Sequence, residues 1–238
     1  MKKSREHAQR LQKLYRALKR DHSKIEPVSH DDPVDALIYG VVSEKVSASA
    51  AETAMRAIRR TFINWNDLRV SRVEEIVEAI GADNSVGRDT ALTLTSALRA
   101  VFDAHHTVSL QALKKLRKRP AKQAIERLGG LSRFAVNYCM LTSLQAHAIP
   151  LTDRMLGYLK QYKIVDPQAD KEEIEGFLTR QVSARNAFEF YALLREECER
   201  KKAARIAHKT DHRKTDHRKT DRRKTDRHKT GKTTKTRK

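Results

Sequence analysis

Cysteine is scarce in this chain: Cys139 and Cys198 are the only two in 238 residues, and neither stands in a C-x-x-C or Cys/His spacing. That excludes a disulfide framework and any four-cysteine metal or iron-sulfur centre, and both residues read as packed, reduced thiols. Long hydrophobic runs are also missing, since no stretch reaches the roughly 18 apolar residues a membrane helix needs. The opening MKKSREHAQRLQKLYRALKR has no apolar middle of the kind a signal peptide carries. The expectation is a soluble, cytoplasmic protein with no membrane partner. Glycine (8) and proline (5) are sparse, and runs alternating apolar with polar residues do not occur, so nothing reads as a strand.

What is abundant is positive charge, with a formal net of +20. It sits at the two ends. Residues 201–238 hold 17 Lys/Arg against 4 Asp, residues 1–26 hold 9 basic against 3 acidic, and the stretch between them is close to neutral. From Lys209 the tail repeats a five-residue unit, KTDHR-KTDHR-KTDRR-KTDRH, and no aliphatic or aromatic residue follows Ala207. With nothing to bury, such a segment is expected to be disordered. A polycation of this kind binds nucleic acid by releasing condensed counterions, without sequence preference and with a steep loss of affinity in salt. A solubilising low-complexity tail is the alternative. His212, His217 and His228 are too irregularly placed to form a metal site, and no metal is expected.

Between the ends the apolar residues recur at helical spacing throughout. Ala8, Leu11, Leu14, Tyr15 and Leu18 form one stripe of an N-terminal helix with basic residues opposite. In DDPVDALIYGVVSEKV, Asp32 is a cap and Pro33 the first helical residue. SASAAETAMRAIRRTF is a further helix, INWNDLRV reads as a connector, and SRVEEIVEAIG carries a Ser71/Glu74 capping box closed by Gly81. SVGRDTALTLTSALRAVFDAHH, SLQALKKL, PAKQAIERLGG, SRFAVNYCMLTSLQA, TDRMLGYLKQY and the long segment from Asp170 bring the count to ten or eleven helices. Short loops between them predict a compact all-α domain or two adjoining lobes.

Two stretches can carry chemistry. In LGGLSRFAVNY, Gly129 and Gly130 permit left-handed backbone angles, and the helix that follows presents unpaired N–H groups with Arg133 in its first turn. That arrangement suits a phosphate. An αα-hairpin whose glycines only end the first helix fits the same residues. In HAIPLTDRMLGYL, either Thr152 or Asp153 caps the next helix, or Asp153 is a carboxylate held near a pocket where it stabilises a developing cation. Trp65 reads as packing between helices.

In order and spacing these blocks resemble the helix-hairpin-helix superfamily of DNA glycosylases typified by endonuclease III, the HhH-GPD domain. The resemblance covers roughly residues 33–158. PVDALIYGVVSEKVSASAAETAMRAI is similar to the first block of that family, and AIGADNSVGRDTALTLTSALRAVFDAHH, with Gly81, Asn84 and Ser85, to the next. LGGLSRFAVNY stands at the L-P-G-V-G hairpin and PLTDRM at V-D-T-H. The resemblance implies a two-lobed all-α protein that takes a base flipped out of double-stranded DNA. Gly129, Gly130, Ser132 and Arg133 would grip the phosphate backbone, and Asp153 would assist departure of the base.

The departures sharpen this reading. Relatives that also cut the strand carry a lysine nucleophile after the hairpin, and the matching residue here is Phe134, so an AP-lyase is not expected. Ser132 replaces the second hairpin glycine, and no cysteine cluster follows Asp153, so no iron-sulfur cofactor is expected. Lys45 stands where a polar residue fills the gap left by the flipped base, with Glu44 beside it. It either enters the duplex, contacts phosphate, supplies an amine, or is a solvated lysine paired with a nearby acid. Phe134 and Tyr138, four residues apart, share a helix face and line a pocket wall or pack in the core. The expected organisation is a basic helix over 1–26 packing on the domain, an HhH-GPD-like domain over 27–206, and a disordered basic tail over 207–238. The protein is expected to be a monomeric, monofunctional DNA N-glycosylase. The alternative is an inactive DNA-binding protein anchored by its tail.

Overall fold

The computed structural model describes residues 4–22 and 25–201, and the repeat tail expected over 207–238 lies outside them. The described residues up to Glu196 belong to one compact unit and those from Glu197 to a second. All regular structure among the described residues is helical: α1 Ser4–Asp21, α2 Pro33–Ser43, α3 Ala48–Thr61, α4 Trp65–Val70, α5 Val73–Ile80, α6 Ser85–His105, α7 Lys118–Glu126, α8 Arg133–Thr142, α9 Asp153–Gln161 and α10 Lys171–Gln181. Short 3₁₀ turns lie at Gln111–Lys115 and Ala184–Asn186. A last helix, α11, runs over 187–196 in the first unit, and the described part of the second unit, 197–201, is helical as well. There Glu197 takes ion pairs from Arg200 and Lys201.

Helices α2 to α8 surround one hydrophobic core built from residues such as Leu37, Ile58, Leu68, Ile76, Leu98 and Ala135. Separately, α1, α9, α10 and α11 bury Leu11, Leu159, Phe177 and Phe190. Tyr15 of α1 meets Phe190 edge-on at 5.5 Å and donates to Glu189, while Lys19 pairs with the same carboxylate at 3.1 Å. That second grouping gives the basic N-terminal helix its place in the fold. Helix α2 runs against α8 because Gly40 has no side chain: a Cβ there would stand 3.0 Å from the Ala135 Cα. The start of α2 is fixed by Asp32, which accepts from Val34 N and Leu110 N, both at 3.0 Å, and from the Ser109 hydroxyl. One carboxylate therefore caps a helix and ties it to the chain 78 residues on.

Three local expectations are corrected. INWNDLRV is not a connector: Asn64 accepts from Asn66 N and Asp67 N, caps α4, and fully buried Leu68 anchors it. The capping box is one residue later than Ser71/Glu74. Ser71 ends α4 by donating to the Asp67 carbonyl at 2.8 Å, and Glu75 accepts from Arg72 N at 3.1 Å to start α5. The segment from Asp170 is not continuous, because Val182 takes an extended conformation and turns its carbonyl to His147 Nε2, 2.8 Å away. Gly81 ends α5 in the left-handed region as expected.

Candidate functional site

The hairpin begins where α7 runs out at Glu126. Leu128 N and Gly129 N donate back to the carbonyls of Ile125 and Glu126, and Gly129 and Gly130 follow with φ of +70° and +66°. Two consecutive left-handed residues are what reverse the chain here, a conformation that side chains with a Cβ resist. Both glycines are solvent-exposed, with nothing near the position of a Cβ. Ser132 then caps α8, its Oγ accepting from Ala135 N at 3.1 Å. The first two amides of the helix, those of Arg133 and Phe134, have no helical carbonyl to meet. This end of α8 combines open backbone, free N–H groups and the positive pole of a helix. Arg133 does not add a free cation to it. Its guanidinium reaches α10, with Nε and Nη2 on Glu175 Oε2 at 3.1 and 2.8 Å and Nη1 at 3.5 Å from Glu172. The bond to Glu175 raises the Arg133 pKa further.

Asp153 is the first residue of α9, and the cap belongs to its neighbour: Thr152 Oγ1 accepts from Met155 N at 3.3 Å. The question of which residue caps this helix is thus resolved in favour of Thr152, and the Asp153 carboxylate is not used by the backbone. Its side chain is 97 % exposed, and its partner is Lys171 Nζ, 3.8 Å away at the start of α10. Fully buried Leu151 and nearly buried Ile149 hold the loop in front of it. The first two turns of α10 thus bind the hairpin arginine through Glu172 and Glu175 and the α9 carboxylate through Lys171. Lys171 gave no signal in the sequence, where it is one charge among several in DKEEIEG.

Phe134 and Tyr138 lie in the core rather than on an open wall. Phe134 is 0 % exposed and Tyr138 3 %. Tyr138 stacks on Tyr39 at 5.1 Å and on Phe134 at 6.2 Å, with Tyr191 of α11 against both. His30 Nε2 lies 3.4 Å from the Tyr138 hydroxyl. Burial drives the phenols of Tyr138 and Tyr39 well above their ordinary range and lowers the His30 pKa, the latter shift opposed by Asp35 and other carboxylates. Cys139, behind Phe134 on α8, donates to the Pro33 carbonyl, and burial pushes its thiol up to about 12.

Over the Phe134 ring, 5.8 Å from its centre, sits the guanidinium of Arg195. Arg195 is 6 % exposed and donates to Tyr191 Oη at 2.8 Å, to the Ser43 carbonyl at 2.7 Å and to the Val46 carbonyl at 3.2 Å. It therefore holds the bend that carries Glu44 and Lys45. Sequence reading passed over Arg195 as part of a charged helix, although its place one turn beyond Tyr191 on the apolar face was a usable signal. Lys45 is exposed and 3.5 Å from Asp89 on α6, while Glu44 is half-buried at the end of α2. Trp65 packs between helices as expected, its indole N–H donating to Asp35 at 2.7 Å.

The order of these helices, with a glycine hairpin leading into α8 and an aspartate opening α9, is the fold of the helix-hairpin-helix DNA glycosylases. Among solved structures the chain is similar to the Clostridium acetobutylicum 8-oxoguanine glycosylase/lyase in complex with DNA, with a TM-score of 0.64 at 14% identity over 82% of this chain and 70% of that one. It is similar to endonuclease III in a trapped covalent DNA intermediate, with a TM-score of 0.61 at 14% identity over 82% and 85% of the two chains. The H. pylori 3-methyladenine DNA glycosylase bound to 1,N6-ethenoadenine gives 0.60 at 12% identity over 83% and 98%. No family model matches the sequence, and no curated protein matches it significantly.

Proposed function

We propose that this protein binds double-stranded DNA and removes a base from it by hydrolysis, as a DNA N-glycosylase without lyase activity. The observation that carries the proposal is the Asp153 carboxylate: it opens α9 but is released from capping by Thr152, on a fold whose solved examples are DNA glycosylases. The glycosidic bond cannot be reached inside a stacked duplex, so the target nucleotide must be flipped out. The hairpin amides from Gly130 to Phe134 then hold phosphate, and the basic ends add affinity that salt weakens. As the bond from C1′ to the base nitrogen breaks, positive charge grows on the sugar, and Asp153 stabilises it. The base nitrogen leaves with the bonding pair and takes a proton from the medium, and water adds to C1′ and gives up one proton. Lys45, at the bend held by Arg195, faces the duplex.

No amine is placed for covalent attack at position 134, where a fully buried phenyl ring stands. The residues present do not fit an iron-sulfur cluster either: the chain has two cysteines, and the Cys139 thiol is committed to the Pro33 carbonyl in the core. A second reading, a scaffold that binds DNA without chemistry, is favoured by one feature: the aromatic cluster around Phe134 fills the place of the lyase lysine. Duplexes bearing oxidised, deaminated or alkylated bases separate the two. The proposal expects strand breaks only after alkali on at least one such duplex. Tight binding with no alkali-labile product across the panel supports the second reading instead.

A further inference from the structure

Helix α8 has a second face. Arg133, Asn137 and Met140 recur at helical spacing on the side away from Phe134 and Tyr138, and with α7, the 146–149 loop and α10 they enclose a cavity of ≈ 670 Å³. Small-molecule sites span roughly 300–1,000 Å³, so a ligand with a ring and a phosphate fits. Arg119 and Arg180 line it, each without an ion pair or hydrogen bond among the described residues. Lys118 joins them, its ammonium donating to the Leu144 carbonyl and making no ion pair among the described residues. The acids in the wall, Glu172 and Glu175, share the one Arg133 guanidinium, Glu175 through Oε2 alone with its Oε1 buried and unpartnered, and with Lys118, Arg119 and Arg180 counted the cations still outnumber the acids.

Asn137 is the second observation. It is 6 % exposed, lines the cavity, and makes no side-chain hydrogen bond among the described residues. A primary amide offers two donors and two acceptor lone pairs, and leaving a buried one unpaired is costly. Met140 and Ile149, 2 % and 1 % exposed, supply apolar surface beside it.

We propose that this cavity binds a nucleotide, with its phosphate on Lys118, Arg119 and Arg180 and the polar edge of its base on Asn137 over Met140 and Ile149. Guanidinium groups suit phosphate oxygens, and the asparagine amide pairs in two-point fashion with an adenine edge. The same chemistry is offered by a free nucleotide and by the phosphorylated end of a strand. The inference does not rest on base removal.

The test is calorimetric titration of the full chain with AMP, adenosine and inorganic phosphate, followed by competition between AMP and a 5′-phosphorylated single-stranded oligonucleotide. AMP is expected to bind with one-to-one stoichiometry, and adenosine and phosphate each roughly ten-fold or more weakly. Arg119→Glu and Arg180→Glu, both at exposed positions that do not threaten folding, are expected to weaken AMP by a similar factor. Asn137→Ala, checked for folding by its melting curve, is expected to abolish the preference of AMP over phosphate. If the oligonucleotide displaces AMP from the wild type but not from Asn137→Ala, the ligand is a strand end; if it does not displace AMP, the ligand is free nucleotide, and both results uphold the site. AMP binding no tighter than phosphate, or AMP binding unchanged in Arg119→Glu and Arg180→Glu, overturns the proposal.

Discussion

Placing the missing lysine back, as Phe134→Lys, is predicted to damage the fold rather than create a lyase. The Phe134 ring is 0 % exposed, stacked on Tyr138 at 6.2 Å and tilted against Tyr191 at 6.2 Å, with the Arg195 guanidinium 5.8 Å from its centre. Truncating such a ring to alanine costs about 3–5 kcal/mol. A lysine stem refills part of the space, but its ammonium would meet the Arg195 cation at about 6 Å, worth about 3 kcal/mol of repulsion at an effective dielectric of about 20. Loss of hydration adds several kcal/mol more, so the amine sheds its proton and its pKa falls. The sum is about 4–6 kcal/mol at neutral pH, comparable with the whole stability of a domain at about 5–15 kcal/mol. Because the folded-state pKa is depressed, the ionisation part of the penalty is absent above the unfolded value of about 10.4 and grows as pH falls toward the folded value, while the packing loss remains at every pH. Urea unfolding followed by the fluorescence of Trp65, the one tryptophan, measures it. Phe134→Leu serves as control at about 1–2 kcal/mol. A Phe134→Lys protein within about 1 kcal/mol of wild type at neutral pH refutes the reasoning, as does a borohydride-trapped adduct with abasic DNA at undiminished stability; either means that position 134 is open to solvent.

Other sites give sharper local tests. Gly40→Ala gains about 1 kcal/mol of helix propensity but overpacks the Ala135 backbone at a cost of about 1–3 kcal/mol, so its urea midpoint should fall; a rise contradicts the close approach of α2 and α8. Gly130→Ala, at a φ of +66°, should lose about 1–2 kcal/mol and weaken duplex binding, while Gly130→Asn, which tolerates the left-handed region, should lose less of both. Equal losses from the two variants would show that backbone conformation is not what matters there. Burial lowers the His30 pKa, so its contribution to stability is full above the unfolded value of about 6.5 and is lost as pH falls through the lower folded value. His30→Gln should therefore flatten the acid limb of the stability curve, and an unchanged limb removes His30 as its source.

Much of the fold was legible because helix signals are local. Asp32 with Pro33, Gly81, and the glycines of the hairpin announce their turns within four or five residues. Errors fell where two local signals compete. Asn64 looked like loop chemistry and is a cap, and Ser71 and Arg72 both border a helix, so the box moved by one residue. At the candidate site the hairpin and the α9 aspartate were visible in sequence, but their electrostatics were not. Arg133 reads as a free cation until α10 supplies Glu175 from 42 residues away. Arg195 reaches Ser43 across 152 residues, a contact that no periodicity encodes. Phe134 and Tyr138 share a face in sequence; only the tertiary packing of Tyr39 and Tyr191 decides that the face is core.

The most direct test compares wild-type and Asp153→Asn protein in single-turnover release of the base from whichever damaged duplex proves reactive, at DNA occupancy matched by prior binding measurement. Asp153→Asn keeps the shape of the α9 start and the Thr152 cap while removing the charge. The account predicts equal binding, alkali-dependent product from wild type, and a loss of about a hundred-fold or more in the variant. Base release by Asp153→Asn at the wild-type rate would contradict it.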